Sequence, residues 1–593
     1  MKHEVNNHFE PLPIGMEDRA RADADRLLAQ AFRLVEEERP DEAVPLFERL
    51  HAMQPFEVAH AINLGNARLA CADTAGAISA FDEAERLGAD GIACWLGHGL
   101  ALLASRRFRE AGQRLGRAYR AQPRAPDVAL GWAQYLVEME CFDEARRCMS
   151  GVDTDALSST QRRGAAWVLA QCGLEEDASR LFRACLEESP GDDLLRLQYV
   201  LLLERLNRLD EAGEQLRAVR DAQADAPMRA LAMSRLLRRN GQARAALDSV
   251  RGALSLQSGD EMSAQLHFEA ARLHDQLGDP DAAMSALAHA HGNARRAFAC
   301  RHPGTDRTMR LGWLDQRLHA PAPDRWRRPL PDGGPRDPVF LVGFPRSGTT
   351  LLQHILAMHP DIRVAEEKPV LEDVIASLQS AGQGSLPLLA RLDAIAPERL
   401  AALRAMYWHG MADHTRDDGR RLLDKYPLSL TRIPYIARLF PASHTLCLLR
   451  HPCDVVLSCY MQAFGLNGGA LAFASLASTA QAYAQVMSYW EEQKQRVGCA
   501  IHALRYEDLV ADFEGTMQGV VRFLGFPWCD GFRDFHQRAR RQAERIRTPS
   551  YAQVIRPVDA AAVHRWRGYR RYFEGDVLEL LSPWAERYGY SLE

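Results

Sequence analysis

Apolar residues in the first half of the chain recur at helical spacing in short segments, and polar turns separate these segments. Each segment carries a small residue at an equivalent position. These anchor residues are Ala43, Ala77, Ala111, Ala145, Ala178, Ala212, Ala246 and Ala282. Successive anchors are 34, 34, 34, 33, 34, 34 and 36 residues apart. Seven consecutive spacings of this size predict a tandem array of helical units.

A second set of positions, twelve residues before each anchor, indicates that every unit contains two helices. The set is Ala31, Gly65, Gly99, Ala133, Ala166, Val200, Ser234 and Ala270, and all but Val200 are small. Two antiparallel helices pack closely when each carries a small side chain at the crossing. Pro55, Pro123 and Pro190 lie twelve residues after their anchors, where a proline ends the second helix.

The period, the small residues and the prolines resemble tetratricopeptide repeats over about residues 27–300. The aromatic positions depart from the usual pattern of that family. The resemblance implies an all-α, tetratricopeptide-like superhelical repeat array after an N-terminal extension over residues 1–26. Such an array can dock a protein or peptide partner, which here would be the acceptor. Alternatively, it only supports the second half of the chain or mediates self-association. The sequence leaves these roles open.

The hydrophobic pattern changes after the array. Residues 301–336 are rich in proline and glycine and have no hydrophobic period, which predicts a linker. Val339–Val342 is an apolar run typical of a buried strand, and apolar residues return at helical spacing from Leu351. The sequence GFPRSGTT, residues 343–350, lies between them. A strand, a glycine-containing loop and a helix start together predict a phosphate-binding site.

The residues of this loop exclude the usual ATP or GTP loop. The lysine that follows the second glycine in those loops is replaced by Thr349, and the basic residue is Arg346. Ser347, Gly348 and Thr350 complete the set of predicted phosphate contacts. A loop of this kind suits a phosphate that lies beside another anionic leaving group.

Further polar positions follow later strand-like runs. Arg450 follows the apolar run 445–449, and Ser458 comes eight residues later in a predicted helix. A guanidinium group and a hydroxyl group suit a second phosphate. Asp424-Lys425-Tyr426-Pro427, Tyr506 in RYEDL and the sequence SYAQVIRPV from Ser550 complete the ordered series.

These motifs together resemble PAPS-dependent sulfotransferases, in particular tyrosylprotein sulfotransferases and bacterial sulfotransferases fused to tetratricopeptide repeats. The resemblance covers about residues 337–575. It implies an α/β, P-loop-like sulfotransferase domain with a central parallel sheet over residues 337–593. The implied reaction transfers a sulfuryl group from PAPS to an acceptor hydroxyl and releases PAP, and it requires no metal.

The resemblance also implies the roles of individual residues. Glu367 is the expected catalytic base, with Glu366 as the alternative, and His359 and His451 are competing candidates. Lys425 and Arg346 are expected to stabilise charge at the bridging oxygen, with help from Ser550. The implied donor contacts are Arg346, Ser347, Gly348, Thr349, Thr350, Arg450, Ser458, Tyr506, Ser550, Arg556 and Arg565.

Three departures from the family pattern leave the acceptor open. Gln462 replaces a basic residue, and Arg556 and Arg565 replace lysines that are common in the family. A tyrosine of a protein or peptide is one expected acceptor, and a carbohydrate, lipid or small-molecule hydroxyl is another. A catalytically silent scaffold for protein partners is an alternative of a different class.

Composition limits the partners and the cellular location that we expect for this chain. The net charge of −5 and the pI near 6.5 show no basic excess, so we do not expect nucleic acid as a partner. The chain has no apolar run of about 18 residues and no basic-then-apolar start, so neither a membrane span nor a secretory signal is expected. Twelve cysteines without a CxxC pair or ligand spacing suggest reduced thiols and no metal site. These features predict a cytoplasmic protein of undetermined oligomeric state.

Overall fold

A computed structural model describes residues 18–37, 39–220, 226–256, 258–303, 321–327, 336–379, 387–412, 414–464, 470–541, 560 and 562–593. The chain divides into two compact units. The first comprises Met1–Glu269 and Gly292–Asp306, and the second comprises Ala270–His291 and Arg307–Glu593. The domain boundaries expected from the sequence stay predictions.

The first unit consists of helices in consecutive pairs. Their bounds are Asp18–Glu36, Pro40–Met53, Val58–Ala70, Thr74–Arg86, Ile92–Ala104, Phe108–Ala121, Pro126–Glu138, Phe142–Met149, Ser159–Gln171, Glu175–Glu188, Asp193–Arg205, Leu209–Arg217, Ala226–Arg239 and Ala243–Leu254. Asp260–Gln276 and Pro280–Arg301 form the last pair, and each of these two helices has residues in both units. The all-α, tetratricopeptide-like array is thereby confirmed.

The small residues of the repeat lie where helices cross. All eight residues of the earlier set are buried, and so are seven of the eight anchors. A Cβ atom on Gly65 would lie 2.8 Å from Cζ of Phe81, so a larger residue there would displace the aromatic ring. The eighth anchor differs from the prediction, because Ala282 is only half-buried whereas Ala283 is fully buried.

Six equivalent turns, which join the two helices of a unit, pass through one residue with left-handed backbone. These residues are Ala72, Arg106, Glu140, Gly173, Asn207 and Gly241, with φ between 59° and 78°. Their spacing repeats the period of the anchors. The next such residue is Gly278, 37 positions after Gly241. Three extra residues therefore lie between Gly241 and Gly278, which accounts for the displaced anchor.

The second unit contains a five-stranded, all-parallel sheet, as predicted. The strands are β1 (Val339–Gly343), β2 (Ile362–Glu366), β3 (Arg421–Lys425), β4 (His444–Leu449) and β5 (Ala500–Arg505). Their order is β2-β3-β1-β4-β5. All five residues of the apolar central strand β1 are buried. The strand order reverses beside β1, because β2 and β3 lie on one side of it and β4 and β5 on the other. Ligands of such sheets bind at the carboxyl ends of the strands near that point.

Helices and short 3₁₀ segments surround the sheet. The α-helices are Thr349–Leu356, Val370–Gln379, Leu388–Asp393, Pro397–Ala412, Ile433–Leu439, Pro452–Tyr460, Leu476–Val497, Tyr506–Ala511, Phe513–Leu524, Phe535–Arg541 and Asp576–Arg587. The 3₁₀ segment that bears on the site is Arg565–Tyr572. Among the described residues, no helix has the length and apolar character needed to cross a membrane.

Candidate active site

The glycine-containing loop connects the end of β1 to the helix Thr349–Leu356, as the sequence predicts. Two of its glycines are required by close approach. A Cβ atom on Gly343 would lie 2.6 Å from the carbonyl oxygen of Leu448. Gly348 has φ of 101°, and a Cβ atom there would lie 2.7 Å from Cδ2 of Tyr506. Tyr506, a predicted donor contact, therefore packs directly on the loop.

Hydroxyl groups line the start of the helix. Ser347, Thr349 and Thr350 are buried, and Ser347 Oγ has no hydrogen-bond partner among the described residues. A buried hydroxyl group without a partner is unfavourable unless a ligand or water supplies one. The loop thus has the donor set of a phosphate site.

Arg346 and Ser458 meet across the site. Arg346 Nε donates a hydrogen bond to Ser458 Oγ over 3.1 Å. Arg346 also has φ of 71°, in the left-handed region that is unfavourable for a residue with a side chain. Backbone strain of this kind concentrates at functional sites. The loop and the helix that carries Ser458 (Pro452–Tyr460) therefore form one site.

Arg450 follows β4 and is 7% exposed. Its Nη1 donates to the carbonyl oxygen of Arg346 over 3.0 Å, and its Nη2 donates to that of Ala562 over 2.5 Å. The guanidinium carbon lies 5.0 Å from the centre of the Tyr506 ring. Nε of Arg450 is buried without a partner among the described residues, so this arginine keeps a donor for a ligand.

Positive charge accumulates around the loop. Burial above all lowers the pKa of Arg346 to about 10; Cys459 opposes this shift, and the charges of Arg450, Arg272 and Arg565 add to it. Guanidinium groups that destabilise one another's charge favour an anion between them. The unpartnered donors of Ser347 and Arg450, the two close-packed glycines and this charge together fit a phosphate-bearing ligand.

The predicted base and the predicted lysine also come together. The register pairs Glu366, at the end of β2, with Lys425, at the end of β3. Lys425 Nζ donates to Oε1 of Glu367 over 2.5 Å and to Oε1 of Glu366 over 3.2 Å. Lys425 is fully buried, whereas the side chains of Glu366 and Glu367 are 28% and 46% exposed. Glu367 is thus the carboxylate with more access to an incoming acceptor.

The two competing histidines are held by backbone groups. His359 Nδ1 accepts the N–H of Asp361, and His451 Nδ1 accepts the N–H of Cys453, each over 3.2 Å. Nε2 therefore carries the proton in both rings. It donates to the carbonyl oxygen of Pro527 over 3.2 Å in His359, and to that of Ser591 over 2.9 Å in His451. Both histidines have structural partners that leave no ring nitrogen available as a base.

Two predicted residues fall in a part of the chain that the structure does not describe. Ser550 and Arg556 lie outside the described residues, so their roles stay predictions. Arg565 is described, and Asp275 binds it over 2.5 Å. Asp454 fixes the start of the 3₁₀ segment that carries Arg565, because its carboxylate accepts the N–H groups of His564 and Trp566 over 2.8 Å each.

Sequence reasoning missed Asp275, Arg272 and His354. Nε2 of His354 is buried without a partner among the described residues. Burial lowers the pKa of His354; the nearby Glu366 raises it and Lys425 lowers it. His354 lies on the helix after the loop, so its helical position was the only available signal. Asp275 and Arg272 have no local signal, since the residues they act on, Arg565 and Arg346, are remote from them in sequence.

One group in the first unit has the composition of a metal site. Oxygen and nitrogen atoms of Asp82, Glu85 and His98 lie within 4.8 Å of one another. Glu85, however, is paired with Arg114 over 2.7 Å, and His98 Nδ1 lies 3.1 Å from Glu85. Hydrogen bonds within the protein thus account for this arrangement.

Comparisons with known proteins match the helical array and the sheet-containing part of the chain to two different families. A profile described as "Sulfotransferase family" matches residues 338–530, and a profile described as "Tetratricopeptide repeat" matches residues 28–92. The chain therefore carries a sulfotransferase domain behind tetratricopeptide repeats. The class of enzyme indicated by the sequence motifs is confirmed.

The relatives place the similarity in the sulfotransferase part. Protein-tyrosine sulfotransferase 2 of Gallus gallus is 28% identical over 271 residues, which cover 42% of this chain and 69% of that protein. An uncharacterized protein of Aquifex aeolicus is 28% identical over 255 residues, 41% of this chain and only 32% of its own length. The crystallised sulfotransferase domain from the curacin biosynthetic pathway is 18% identical and has a TM-score of 0.31. That match covers 44% of this chain and 99% of the curacin domain.

Proposed function

We propose that this chain transfers a sulfuryl group from PAPS to an acceptor hydroxyl and releases PAP. The observation that carries the proposal is the contact between the loop and the Arg450/Ser458 pair. Arg346 touches Ser458 through its side chain and Arg450 through its carbonyl oxygen. A ligand with two phosphate groups needs two such anion sites side by side.

The donor would be held by groups from separate elements. The loop N–H groups with Ser347, Thr349 and Thr350 suit the 5′-phosphosulfate, and Arg450 with Ser458 suits the 3′-phosphate. Tyr506, which packs on Gly348, would contact the nucleotide. The co-substrate supplies a sulfuryl group whose sulfur is bonded to a phosphate leaving group.

The transfer then needs a base and fixed positive charge. Glu367 would accept the proton of the acceptor hydroxyl. The acceptor oxygen would then form its bond to sulfur while the bond from sulfur to the phosphate oxygen of PAPS breaks. Lys425 and Arg346 would offset the negative charge that develops on the leaving phosphate. The buried position of Lys425 strengthens this electrostatic effect, because the local dielectric is low.

A protein or peptide tyrosine is the acceptor we favour. The similarity to protein-tyrosine sulfotransferases supports this choice. The 46% exposed carboxylate of Glu367 is also accessible to a side chain presented by another molecule. Tetratricopeptide repeats commonly bind proteins, so the array would present the acceptor. The metal-free reaction and the cytoplasmic location stay predictions.

The direct test uses the full-length chain, labelled PAPS and a cell extract. Mass spectrometry of the labelled products then identifies the acceptor. We expect label on protein tyrosines and binding of PAP by calorimetry. PAP binding without any labelled product would indicate the catalytically silent scaffold, and absence of PAP binding would overturn the proposal.

A further inference from the structure

Residues 270–291 precede the sulfotransferase segment but belong to the second compact unit. His291 Nε2 contacts the carbonyl oxygen of Tyr460 over 2.8 Å, and the His291 and Tyr460 rings stack with centres 4.8 Å apart. Tyr460 ends the helix Pro452–Tyr460, which carries Ser458. One element of the candidate donor site is therefore packed against this segment.

Asp275, in the same segment, contacts the 3₁₀ segment Arg565–Tyr572, which carries the predicted donor contact Arg565. One carboxylate oxygen of Asp275 lies 2.5 Å from Nη2 of Arg565, and the other accepts the Tyr569 hydroxyl over 2.7 Å. The side chains of Asp275 and Arg565 are 21% and 37% exposed, so both are partly shielded from water. A guanidinium group has five N–H donors. The carboxylate can therefore fix its direction while other donors remain for a second anion.

The direction that Asp275 imposes on the Arg565 side chain affects the electrostatics of the loop 343–350. Arg565 adds to the positive charge felt by Arg346, and so does Arg272. Arg272 and Asp275 are three residues apart on one helix, so they share a face. The same helical face thus supplies both a cation toward the site and the carboxylate that holds Arg565.

We infer that Asp275 is a positioning residue of the donor site, which orients Arg565 toward the 3′-phosphate of the nucleotide. This inference rests on the proposed function. It extends the donor site to a helix outside the segment that matches the sulfotransferase profile. A sulfotransferase segment without residues 270–291 would lack this contact.

The test compares PAP binding by calorimetry for full-length wild type, Asp275→Ala and Asp275→Asn. We expect binding about tenfold weaker in Asp275→Ala, a size typical of losing a partner that orients a ligand-binding side chain. Asp275→Asn should be intermediate, because its amide oxygen can still accept from Arg565. In transfer assays the donor KM should rise while kcat stays close to wild type.

Asp281→Ala is the matched control. Asp281 lies in the same segment, accepts from the Tyr572 hydroxyl and pairs with Arg571. The Asp281→Ala variant thus removes an equivalent carboxylate that contacts the same 3₁₀ segment, and PAP affinity should stay within twofold of wild type. The double variant Asp275→Ala/Arg565→Ala should bind PAP no more weakly than Arg565→Ala alone, because residues that act together are not additive.

Failure of the inference differs from failure of the proposed function. A wild-type protein that does not bind PAP overturns both. Wild-type binding with unchanged or tighter binding by Asp275→Ala overturns the inference alone. An equal loss in Asp281→Ala, or full additivity with Arg565→Ala, also overturns the inference.

Discussion

The Lys425 ammonium is fully buried, and it lies 2.5 Å from a carboxylate oxygen of Glu367, whose side chain is 46% exposed. The backbone strengthens the pairing, because the N–H of Glu367 donates to the carbonyl oxygen of Lys425 over 2.8 Å. Glu367 adopts a left-handed φ of 48° in this position. A buried cation needs such partners, since a lone charge away from water is strongly destabilising.

Glu367→Gln should abolish most of the transfer, because an amide cannot accept the acceptor proton. We expect kcat to fall by about 10²-fold or more, with PAP affinity within threefold of wild type. Glu366→Gln is the matched control, as it contacts the same ammonium group. A larger loss in Glu366→Gln than in Glu367→Gln would assign the base to Glu366.

Lys425→Met should keep the hydrophobic packing of β3 and lose the charge that stabilises the leaving phosphate. The expected loss in kcat is about 10²-fold, typical of removing one electrostatic contact in a site of this kind. Circular dichroism checks that the fold is intact. Near-normal transfer by a folded Lys425→Met protein would remove Lys425 from the mechanism.

Arg450→Ala should weaken PAP binding because it removes the predicted 3′-phosphate contact. We expect at least about a tenfold rise in Kd, since hydrogen bonds to charged groups are worth roughly 1.5–3 kcal/mol. Arg438→Ala is a suitable control, because Arg438 also donates to two backbone carbonyls, those of Leu392 and Ile395. Equal effects of the two substitutions would argue against the assignment.

Gly348→Ala should impair donor binding. The added methyl group would meet the Tyr506 ring at 2.7 Å, and the left-handed φ of 101° is unfavourable for alanine. The loop must shift, so we expect about a tenfold weaker PAP affinity or worse. Gly519→Ala, whose added Cβ atom would lie an ordinary 3.9 Å from Cε1 of His502, should leave affinity unchanged and stabilise its helix.

Asp424 predicts a pH dependence of stability. Burial raises the pKa of Asp424 to about 7, although the hydrogen bond from Tyr407 opposes this shift. The pKa of Asp424 in the folded protein is higher than its ordinary value of 3.8. The neutral carboxyl group therefore contributes its full stability to the folded state below pH 3.8, and this stability is lost as the pH rises through about 7.

Asp424→Asn should therefore gain stability over wild type as pH increases from 5 to 8, by roughly 2–3 kcal/mol. Thermal unfolding at three pH values measures the difference. The exposed substitution Glu398→Gln serves as the control and should give a pH-independent difference. A constant difference for Asp424→Asn would show that its carboxyl group titrates normally.

The sequence by itself determined the repeat array and the phosphate loop. The anchor spacing is a local pattern, since a helix pair and its turn are each formed by neighbouring residues. The loop 343–350 was recognisable for the same reason: its strand, glycines and helix follow one another directly. Even here the period stayed within one residue of 34 only as far as Ala246, because the three extra residues before Gly278 leave no clear signal.

Only the tertiary structure decided which polar groups meet. Lys425 reaches Glu366 and Glu367 because β2 and β3 are neighbours in the sheet, 59 and 58 residues apart in sequence. His359 and His451 are excluded as bases by carbonyl groups 168 and 140 residues away. Asp275 binds Arg565 across 290 residues. Such contacts depend on strand order and packing of distant segments, which a local pattern of residue types does not encode.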